Sequence, residues 1–408
     1  MDPEEKIKLR PLMLMITQVE GRDYIVAQDQ TREAAPVMLP AELEPFLRML
    51  DGTRSIRDMQ VELTRAMGGK LVPIDEITKI IEELDSNLLL DSPRYRETVE
   101  LDKRFWKQIR LRKPFHAGQA YPTEPDELAE MLDGFYRDPS GPKENAGDES
   151  AFVRGVLAPH IDVKSGGPTF AWAYNSLKSQ PRAELFVLLG TAHNQTAGPI
   201  SISRKDYATP LGIPDTDNEF IDRLTDTYSP PWLMDDMVHR TEHSIEFQAV
   251  FLKHLLGDDT AKVVPILIGG FSDYVQSRSS PSEDKQIAEF LDAFQKVVDK
   301  DERTITYIVG GDLAHIGPRY GHPEPVLPAD IEACKAKDVE MLDAAAKGAE
   351  EFFDYVAAEG DRRNICGMPP MYIMLKLIEK AEGTVLHHSH WFDESTRSAV
   401  TFAAMLFT

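Results

Sequence analysis

Hydrophobic and polar positions divide most of the chain into strand-like apolar runs that alternate with amphipathic, helix-like stretches. Runs such as Leu185–Leu189 are apolar throughout, which is typical of central strands buried on both faces of a sheet. The predicted strands are Phe152–Ala158, Leu185–Gly190, Pro199–Ser203, Val263–Ile268, Ile305–Val309, Val385–Trp391 and Ala399–Leu406. The predicted helices are Pro125–Tyr136, Thr169–Leu177, Asn218–Thr227, Ser244–Leu256, Glu283–Asp299, Asp330–Ala346 and Pro369–Lys380. This alternation predicts a layered α/β fold with a sheet core. Polar insertions at Asp138–Ser150 and Ser272–Asp284 are predicted to be surface loops.

Three of the predicted strands run directly into residues that can bind metals or transfer protons. His160 follows the first of these strands, His193 follows the second, and Asp312 and His315 follow the third. Ligands of open α/β sheets bind beyond the carboxyl ends of the strands. We therefore expect these side chains to converge on one pocket.

Residues 1–95 have a different pattern and are predicted to form a small α+β domain. Two strands joined by a turn at Glu20–Arg22, a third strand at Val37–Leu39 and three short helices outline a winged helix-turn-helix. A charged helix in 96–113 is predicted to link it to an α/β domain spanning 114–408. Residues 1–100 hold 13 Lys and Arg against 20 Asp and Glu, a net charge of −7. Winged helices often bind DNA, but this charge favours a peptide or protein partner.

Composition narrows the function classes further. The chain has 408 residues and a net charge of −23, which argues against a sequence-independent grip on nucleic acid phosphates. Its sequence contains no apolar run of the roughly 18–20 residues needed to cross a bilayer. The N-terminus is acidic and lacks the order of a secretory signal. We expect a cytoplasmic protein with no membrane partner and with its two unlike cysteines, Cys334 and Cys366, unpaired.

Each candidate residue has a structural alternative. His160 and His193 are candidate metal ligands, because a neutral imidazole needs only one lone pair aimed at the ion, but either could cap a loop. Asp312 and His315 have a spacing that suits a carboxylate orienting a general base, or an aspartate capping a short helix. Cys366 could complete a ligand set beside a helix N-terminus, or be a packed thiol.

Two further histidine segments are weighed in the same way. His243 lies between Glu242 and Glu246, either of which could contact it, although acidic residues are also favoured at a helix N-terminus. The run 387–390 contains three histidines, but strand alternation sends neighbouring side chains to opposite faces. We interpret that run as structural or peripheral.

The ordered segments from about residue 114 to the end resemble the Memo-like family, named AmmeMemoRadiSam system protein B in bacteria and archaea. The segments that carry the resemblance are His116–Pro122, Ala158–His160, Leu189–His193, Thr209–Gly212, Glu242–Glu246, Pro265–Gly269, Gly311–Gly317 and Ile365–Gly367. The family's fold is similar to that of class III extradiol dioxygenases, which use non-haem iron(II). Two departures lie beside the site: Ile161–Val163, where the family usually has Ala-Gly-Tyr, and Gly310-Gly311, where it usually has Ser-Ser.

The resemblance implies a role for each candidate. His160, His193 and Cys366 would be the metal ligands, and His243 would line the pocket. Asp312 and His315 would lie behind the ligands, with His315 in the acid/base position. A thiolate makes the set softer than two histidines and a carboxylate, so iron(II) is expected first and copper or zinc remain open.

The resemblance also implies partners. The segment from Val37 to Ile56 is similar to PqqD-like domains, which recognise peptides in peptide-modification systems. Family membership implies association with the protein A component of the AmmeMemoRadiSam system and a radical-SAM enzyme.

Three hypotheses follow: a mononuclear metal-dependent oxidoreductase, a non-catalytic binding scaffold on a dioxygenase-like fold, and a zinc-dependent hydrolase.

Overall fold

The computed structural model describes residues 2–29, 36–143, 152–178, 183–378 and 381–408. The chain divides into two compact units, Met1–Ile109 and Arg110–Thr408. The helix that was predicted as a linker lies at Pro93–Gln108 and belongs to the first unit. None of the helices in these described ranges is both long and apolar enough to cross a bilayer.

The first unit is a small α+β structure. Its elements are β1 (Lys6–Lys8), β2 (Met13–Val19), β3 (Arg22–Gln28), β4 (Val37–Pro40), α1 (Glu44–Leu47), β5 (Asp51–Ser55), α2 (Ile56–Ala66), α3 (Ile74–Ser86) and α4 (Pro93–Gln108). Strands β2, β3 and β4 form an antiparallel sheet, as the sequence predicted. Helix α2 begins at a capping box in which Ser55 and Asp58 satisfy each other's backbone N–H groups.

The second unit is a layered α/β structure. Its strands are β6 (Leu111–Arg112), β7 (Gly155–Ala158), β8 (Leu185–Thr191), β9 (Ile200–Ile202), β10 (Asp206–Tyr207), β11 (Lys262–Ile268), β12 (Ile305–Gly310), β13 (His315–Ile316), β14 (Gly383–Asp393) and β15 (Ser398–Phe407). Its helices are α5 (Pro125–Arg137), α6 (Val163–Asn175), α7 (Asn218–Thr227), α8 (His243–Leu256), α9 (Ser272–Ser277), α10 (Lys285–Val298), α11 (Pro328–Ala345), α12 (Ala349–Ala358) and α13 (Met368–Ile378). This mixed architecture confirms the predicted fold class.

The main sheet has the strand order β13-β15-β7-β12-β8-β11-β9, with β14 on the outer edge of β15, counted over the described residues. Strands β7, β12, β8 and β11 are parallel, and β15 and β9 flank them antiparallel. Helices cover both faces, so β8 is buried along its whole length, as its continuous apolar run predicts.

One predicted loop is wrong, and another lies partly outside the described residues. The segment Ser272–Asp284 contains helix α9 and a 3-10 turn at Pro281–Glu283. Its polar composition reflects a helix with an exposed side, which turn statistics alone do not separate from a loop. The segment Asp138–Ser150 is described only as far as Lys143, so most of that prediction falls outside the described chain.

Candidate metal centre

Strand register brings the first candidate residues together. Ala158 of β7 pairs with Gly310 of β12, and Gly310 pairs on its other side with Gly190 of β8. His160 and Asp312 each lie two residues beyond this row. The parallel pairing therefore delivers both side chains to the same edge of the sheet, as predicted.

His160 is the centre of the cluster and is held on three sides. Its backbone N–H donates to Asp312 Oδ1 at 2.9 Å, and its Nδ1 donates to the Gly310 carbonyl oxygen at 2.9 Å. Its Nε2 lies 3.1 Å from Cys366 Sγ and 3.7 Å from Asp312 Oδ2. The imidazole is buried, so the lone pair of Nε2 is aimed at the neighbouring donor atoms rather than at bulk water.

Two more imidazoles are fixed by one buried carboxylate. Glu242 is the N-cap of α8 and accepts the backbone N–H groups of His243 and Ser244. Its Oε1 also lies 3.0 Å from His193 Nδ1 and 3.2 Å from His243 Nδ1. The helix cap and the contact with His243, weighed as alternatives from the sequence, therefore occur together. An acceptor at Nδ1 leaves Nε2 of each ring as the nitrogen that could bind a metal.

The three rings form one cluster. Their centroids are 4.9 Å apart for His160 and His193, 5.1 Å for His160 and His243, and 4.7 Å for His193 and His243. Ligand atoms of these three histidines lie within 4.8 Å of one another, as do those of His160, Asp312 and Cys366. Within the described residues, the predicted set His160, His193 and Cys366 does not meet that spacing as a group. His160 is common to both sets.

Close backbone approaches position α8 and the Cys366 loop. A Cβ on Gly310 would lie 2.2 Å from the Ser244 carbonyl oxygen, and one on Gly311 would lie 2.7 Å from Gly367 Cα. Neither position has room for a side chain without a shift of its neighbour. The Gly-Gly pair, a departure from the family pattern, thus allows the α8 N-terminus and the segment before α13 to pack against the end of β12.

The electrostatics of the cluster follow from burial and the fixed carboxylates. Burial lowers the pKa of His160 well below its usual value, and the neighbouring imidazoles lower it further. Burial opposes the charging of His193, but Glu242 outweighs it and raises the pKa of that ring. Burial raises the pKa of Asp312 to about 6 and that of the Cys366 thiol well above its usual value. Without a nearby cation, therefore, the thiol remains protonated at neutral pH.

Asp312 does not orient His315 in the described structure. The Asp312 carboxylate instead turns back to the His160 backbone, and the two residues share no hydrogen bond. His315 Nδ1 donates to the carbonyl oxygens of Leu313 and Asn364, both at 3.2 Å. Burial lowers the pKa of His315 to about 4, so its Nε2 is unprotonated at neutral pH. His315 can therefore accept a proton, but the backbone rather than Asp312 sets its tautomer.

A cavity of about 220 Å³ opens onto the cluster. It is lined by His160, Ile161, Asp162, Ser165, His193, His243, Asp312, His315, Arg319, Tyr320, Trp391 and Val400. Arg319, Tyr320 and Trp391 are not among the residues that the sequence pattern predicted for the site. Arg319 and Tyr320 follow closely after His315, which is a usable signal, but Trp391 reaches the cavity only through the pairing of β14 with β15.

The histidine run in β14 is peripheral. His387 Nδ1 is 2.8 Å from Thr169 Oγ1, and its ring stacks on Trp172. On the opposite face, His388 Nε2 is 3.1 Å from Asp338 Oδ2. Neither histidine belongs to a metal-spaced group among the described residues.

Comparisons with known proteins agree on one family. The family model described as "Memo-like protein" matches residues 112–406. A "MEMO1 family protein" of Aquifex aeolicus is 28% identical over 389 residues, covering 94% of this chain and 96% of the relative. MEMO1 family proteins of Methanococcus maripaludis strain C5 and Methanocaldococcus jannaschii are 32% and 30% identical, each covering 66% of this chain and 87% or 88% of the relative. The Aquifex match thus includes most of the first unit.

Proposed function

Because the chain belongs to the Memo-like family, we propose that the cluster around His160 binds one metal ion in a metal-dependent oxidoreductase. Iron(II) is proposed first, with copper and zinc as alternatives. The observation that carries the proposal is the arrangement of the three imidazoles: a carbonyl or carboxylate lies at each Nδ1, which leaves each Nε2 as a possible donor, and the Nε2 of His160 also lies beside a thiol and a carboxylate.

The separation of two of the donor atoms supports binding to one ion. A nitrogen bound at about 2.0–2.1 Å and a sulfur bound at about 2.3 Å lie roughly 3.1–3.6 Å apart when the bond angle is about 90–110°. The 3.1 Å between His160 Nε2 and Cys366 Sγ falls in that range. We keep His160, His193 and Cys366 as the proposed ligands. We add His243 as a competing ligand, because its donor atom lies within 4.8 Å of those of His160 and His193, whereas Cys366 does not form such a group with these two histidines.

The protein's own groups would divide the remaining work. A bound redox-active ion would supply open coordination positions and one-electron chemistry. His315, unprotonated at neutral pH and lining the cavity, can take up and return a proton at Nε2. Asp312 holds the His160 backbone in place, and Glu242 fixes two imidazoles. Burial of the cluster limits water around it, which strengthens these electrostatic contacts.

Metal content and thiolate ligation test the proposal. Full-length protein is reconstituted anaerobically with iron(II) or cobalt(II), and the alanine variants of His160, His193, His243 and Cys366 are compared by elemental analysis. Cys334→Ala is the control, because Cys334 is likewise a free thiol and belongs to neither group of donor atoms around His160. We expect near-stoichiometric metal in the wild type and control and its loss in His160→Ala. Among the variants that retain cobalt, a sulfur-to-cobalt absorption band should be absent only in Cys366→Ala. A wild type that retains no metal would contradict the proposal.

Oxygen uptake tests the redox part separately. The iron(II) protein is assayed against small organic molecules, and uptake should depend on His315. Zinc occupancy with oxygen-independent hydrolysis would instead support the hydrolase hypothesis.

A second candidate is a non-catalytic scaffold that binds a peptide or protein. The edge strand β2 of the first unit exposes Leu14, Met15 and Ile16, and an exposed apolar strand edge is a common docking surface. Under this candidate, the protein A component and the radical-SAM enzyme of the AmmeMemoRadiSam system are proposed partners. Their affinity should then fall in Ile16→Glu, remain unchanged in His315→Ala, and be accompanied by no turnover.

A further inference from the structure

The outer wall of the cavity is built by one cross-strand row. Val400 of β15 pairs with Trp391 of β14 on one side and with His315 of β13 on the other. Side chains of directly paired residues lie next to one another on the same face of a sheet. The row therefore places an indole ring and an aliphatic side chain beside the histidine. Arg319 and Tyr320 follow β13 in a short 3-10 turn and complete this wall.

Arg319 carries hydrogen-bonding capacity that the described residues leave largely unused. Its guanidinium carbon lies 5.7 Å from the Trp391 ring centroid and 6.0 Å from that of Tyr320. Within the described chain, the guanidinium group makes one hydrogen bond, from Nη1 to Asp393 Oδ2 at 3.4 Å. Asp393 meanwhile accepts shorter hydrogen bonds from Ser395 and Thr396. Arginine offers five N–H donors in a planar fork that suits a carboxylate.

The two carboxylates that line the cavity are already engaged by the backbone. Asp162 accepts the N–H groups of Lys164 and Ser165 as the N-cap of α6. Asp312 accepts the N–H of His160. Neither contacts Arg319, whose one ion pair within the described residues is the 3.4 Å contact with Asp393. Its side chain is 53% exposed, so a ligand in the cavity can reach the guanidinium N–H groups that this contact leaves unused.

Cavity size and lining restrict that ligand. The volume of about 220 Å³ is below the roughly 300–1,000 Å³ of sites that hold drug-sized molecules. Trp391, Tyr320, Val400 and Ile161 provide ring and aliphatic surface on the walls. A flat apolar body of modest size, carrying one anionic group, matches both the shape and the charge.

We propose that the site accepts a small aromatic carboxylic acid, with its carboxylate on the Arg319 guanidinium and its ring against Trp391 and Tyr320. The rest of the molecule then points towards the cluster around His160. This inference rests on the proposed function in one respect, namely that the cluster around His160 is where the bound molecule reacts. The binding contacts belong to the cavity wall and do not require a metal.

Matched probes test the assignment by equilibrium binding. Phenylacetate and its neutral analogue phenylacetamide are titrated into metal-stripped and metal-reconstituted full-length protein by calorimetry, with elemental analysis of each sample. A charge-assisted hydrogen bond should favour phenylacetate roughly ten- to hundredfold. Arg319→Gln should abolish that preference in both preparations. Trp391→Ala should weaken both probes and leave the preference between them. Arg362→Gln, an exposed arginine of a neighbouring cavity, is the control and should retain the wild-type preference.

The outcomes separate this inference from the proposed function. Equal binding of the two probes, absence of binding by either, or a preference that survives in Arg319→Gln would overturn the substrate class. A preference confined to metal-loaded protein and independent of Arg319 would also overturn it, since the carboxylate would then be on the ion. Protein that binds no metal but shows the Arg319-dependent preference would contradict the proposed function while supporting this inference.

Discussion

The buried ion pair of Arg112 and Glu246 is expected to hold the start of α8, and with it Glu242 and His243, in place. Both side chains are buried, and Arg112 Nη1 donates to Glu246 Oε2 at 2.6 Å. Arg112 also donates to the carbonyl oxygen of Glu242 at 2.8 Å. The remaining donors to the Glu246 carboxylate are the backbone N–H groups of Phe115 and His116 and the hydroxyl of Tyr121.

Replacing Glu246 with glutamine tests this arrangement without changing its shape. The amide nitrogen must face donors whichever way it is turned, and Arg112 is left buried without its counter-charge. Removing one partner of a buried ion pair costs about 3–5 kcal/mol. We therefore expect Glu246→Gln to lower the free energy of unfolding of the second unit by about that amount at pH 7.

The measurement must resolve the two units, because a chain with two compact units need not unfold in one step. Hydrogen exchange with mass spectrometry at increasing urea gives the opening free energy of peptides from α8 and from 112–121. Glu289→Gln is the control, since Glu289 is partly exposed and lies 3.7 Å from Lys285. Such a surface pair should change stability by less than about 1 kcal/mol. If Arg112→Met is added to Glu246→Gln, the further loss should be smaller than that of Arg112→Met alone.

The effect should also depend on pH. Burial alone would raise the pKa of Glu246, but Arg112 and the other donors hold it below its usual value of 4.5. A depressed pKa stabilises the fold above the unfolded pKa, and this contribution is lost as the pH falls through the folded pKa. The difference between wild type and Glu246→Gln should therefore narrow below pH 4.5. A loss under about 1 kcal/mol at pH 7, equal to that of the control, would refute the reasoning.

Three further perturbations have calculable outcomes, each read by urea denaturation followed by hydrogen exchange in the second unit. Gly310→Ala places a Cβ 2.2 Å from the Ser244 carbonyl oxygen and should cost about 1–3 kcal/mol and reduce metal retention. Asp338→Asn removes one of the two carboxylates that pair with the buried Arg363, the other being Glu359, and should cost about 1.5–3 kcal/mol. Burial lowers the pKa of His239 to about 4 from 6.5, so the folded protein keeps this ring neutral. Because the unfolded chain binds a proton at this ring from about pH 6.5 downwards, the neutral ring contributes up to about 3 kcal/mol to the free energy of unfolding above pH 6.5. That contribution is lost as the pH falls from 6.5 towards 4.

Matched variants give each of these a contradicting outcome. Gly270→Ala meets nothing within 4 Å and should be nearly neutral, so an equal loss would remove the steric argument for Gly310. The exposed Asp354→Asn serves the same purpose for Asp338. In His239→Gln, the free energy of unfolding should change less with pH between 6.5 and 4 than it does in the wild type. An unchanged profile would show that other groups dominate it.

Local patterns were enough to predict most of the strands and helices, although not α9 or α12, and to place several of the site residues. The apolar run before Gly190 predicts β8, and the run before Gly310 predicts β12, because burial on both faces leaves no polar position in a central strand. His160, His193 and Asp312 follow such strands directly, so their convergence at one edge of the sheet was predictable from the chain alone.

Other parts of the site depend on contacts between residues far apart in sequence. His243 joins the cluster because α8 packs against Gly310, and Glu242 reaches His193 across 49 positions. Nothing in the local pattern indicated that Asp312 would turn to the His160 backbone, or that one of the two acceptors of His315 Nδ1 would be the carbonyl oxygen of Asn364, 49 positions away.

The sequence by itself determined most of the strands and helices and which chemical groups stand at their ends, because those properties depend mainly on residues close together along the chain. Only the tertiary structure decided which nitrogen of each imidazole contacts a protein acceptor, which donor atoms lie close enough to bind one ion, and which side chains line the cavity. Trp391 illustrates the difference: it faces the cavity only because β14 pairs with β15 in the register that sets it against Val400. Register is fixed by packing over the whole sheet, so no local pattern can specify it.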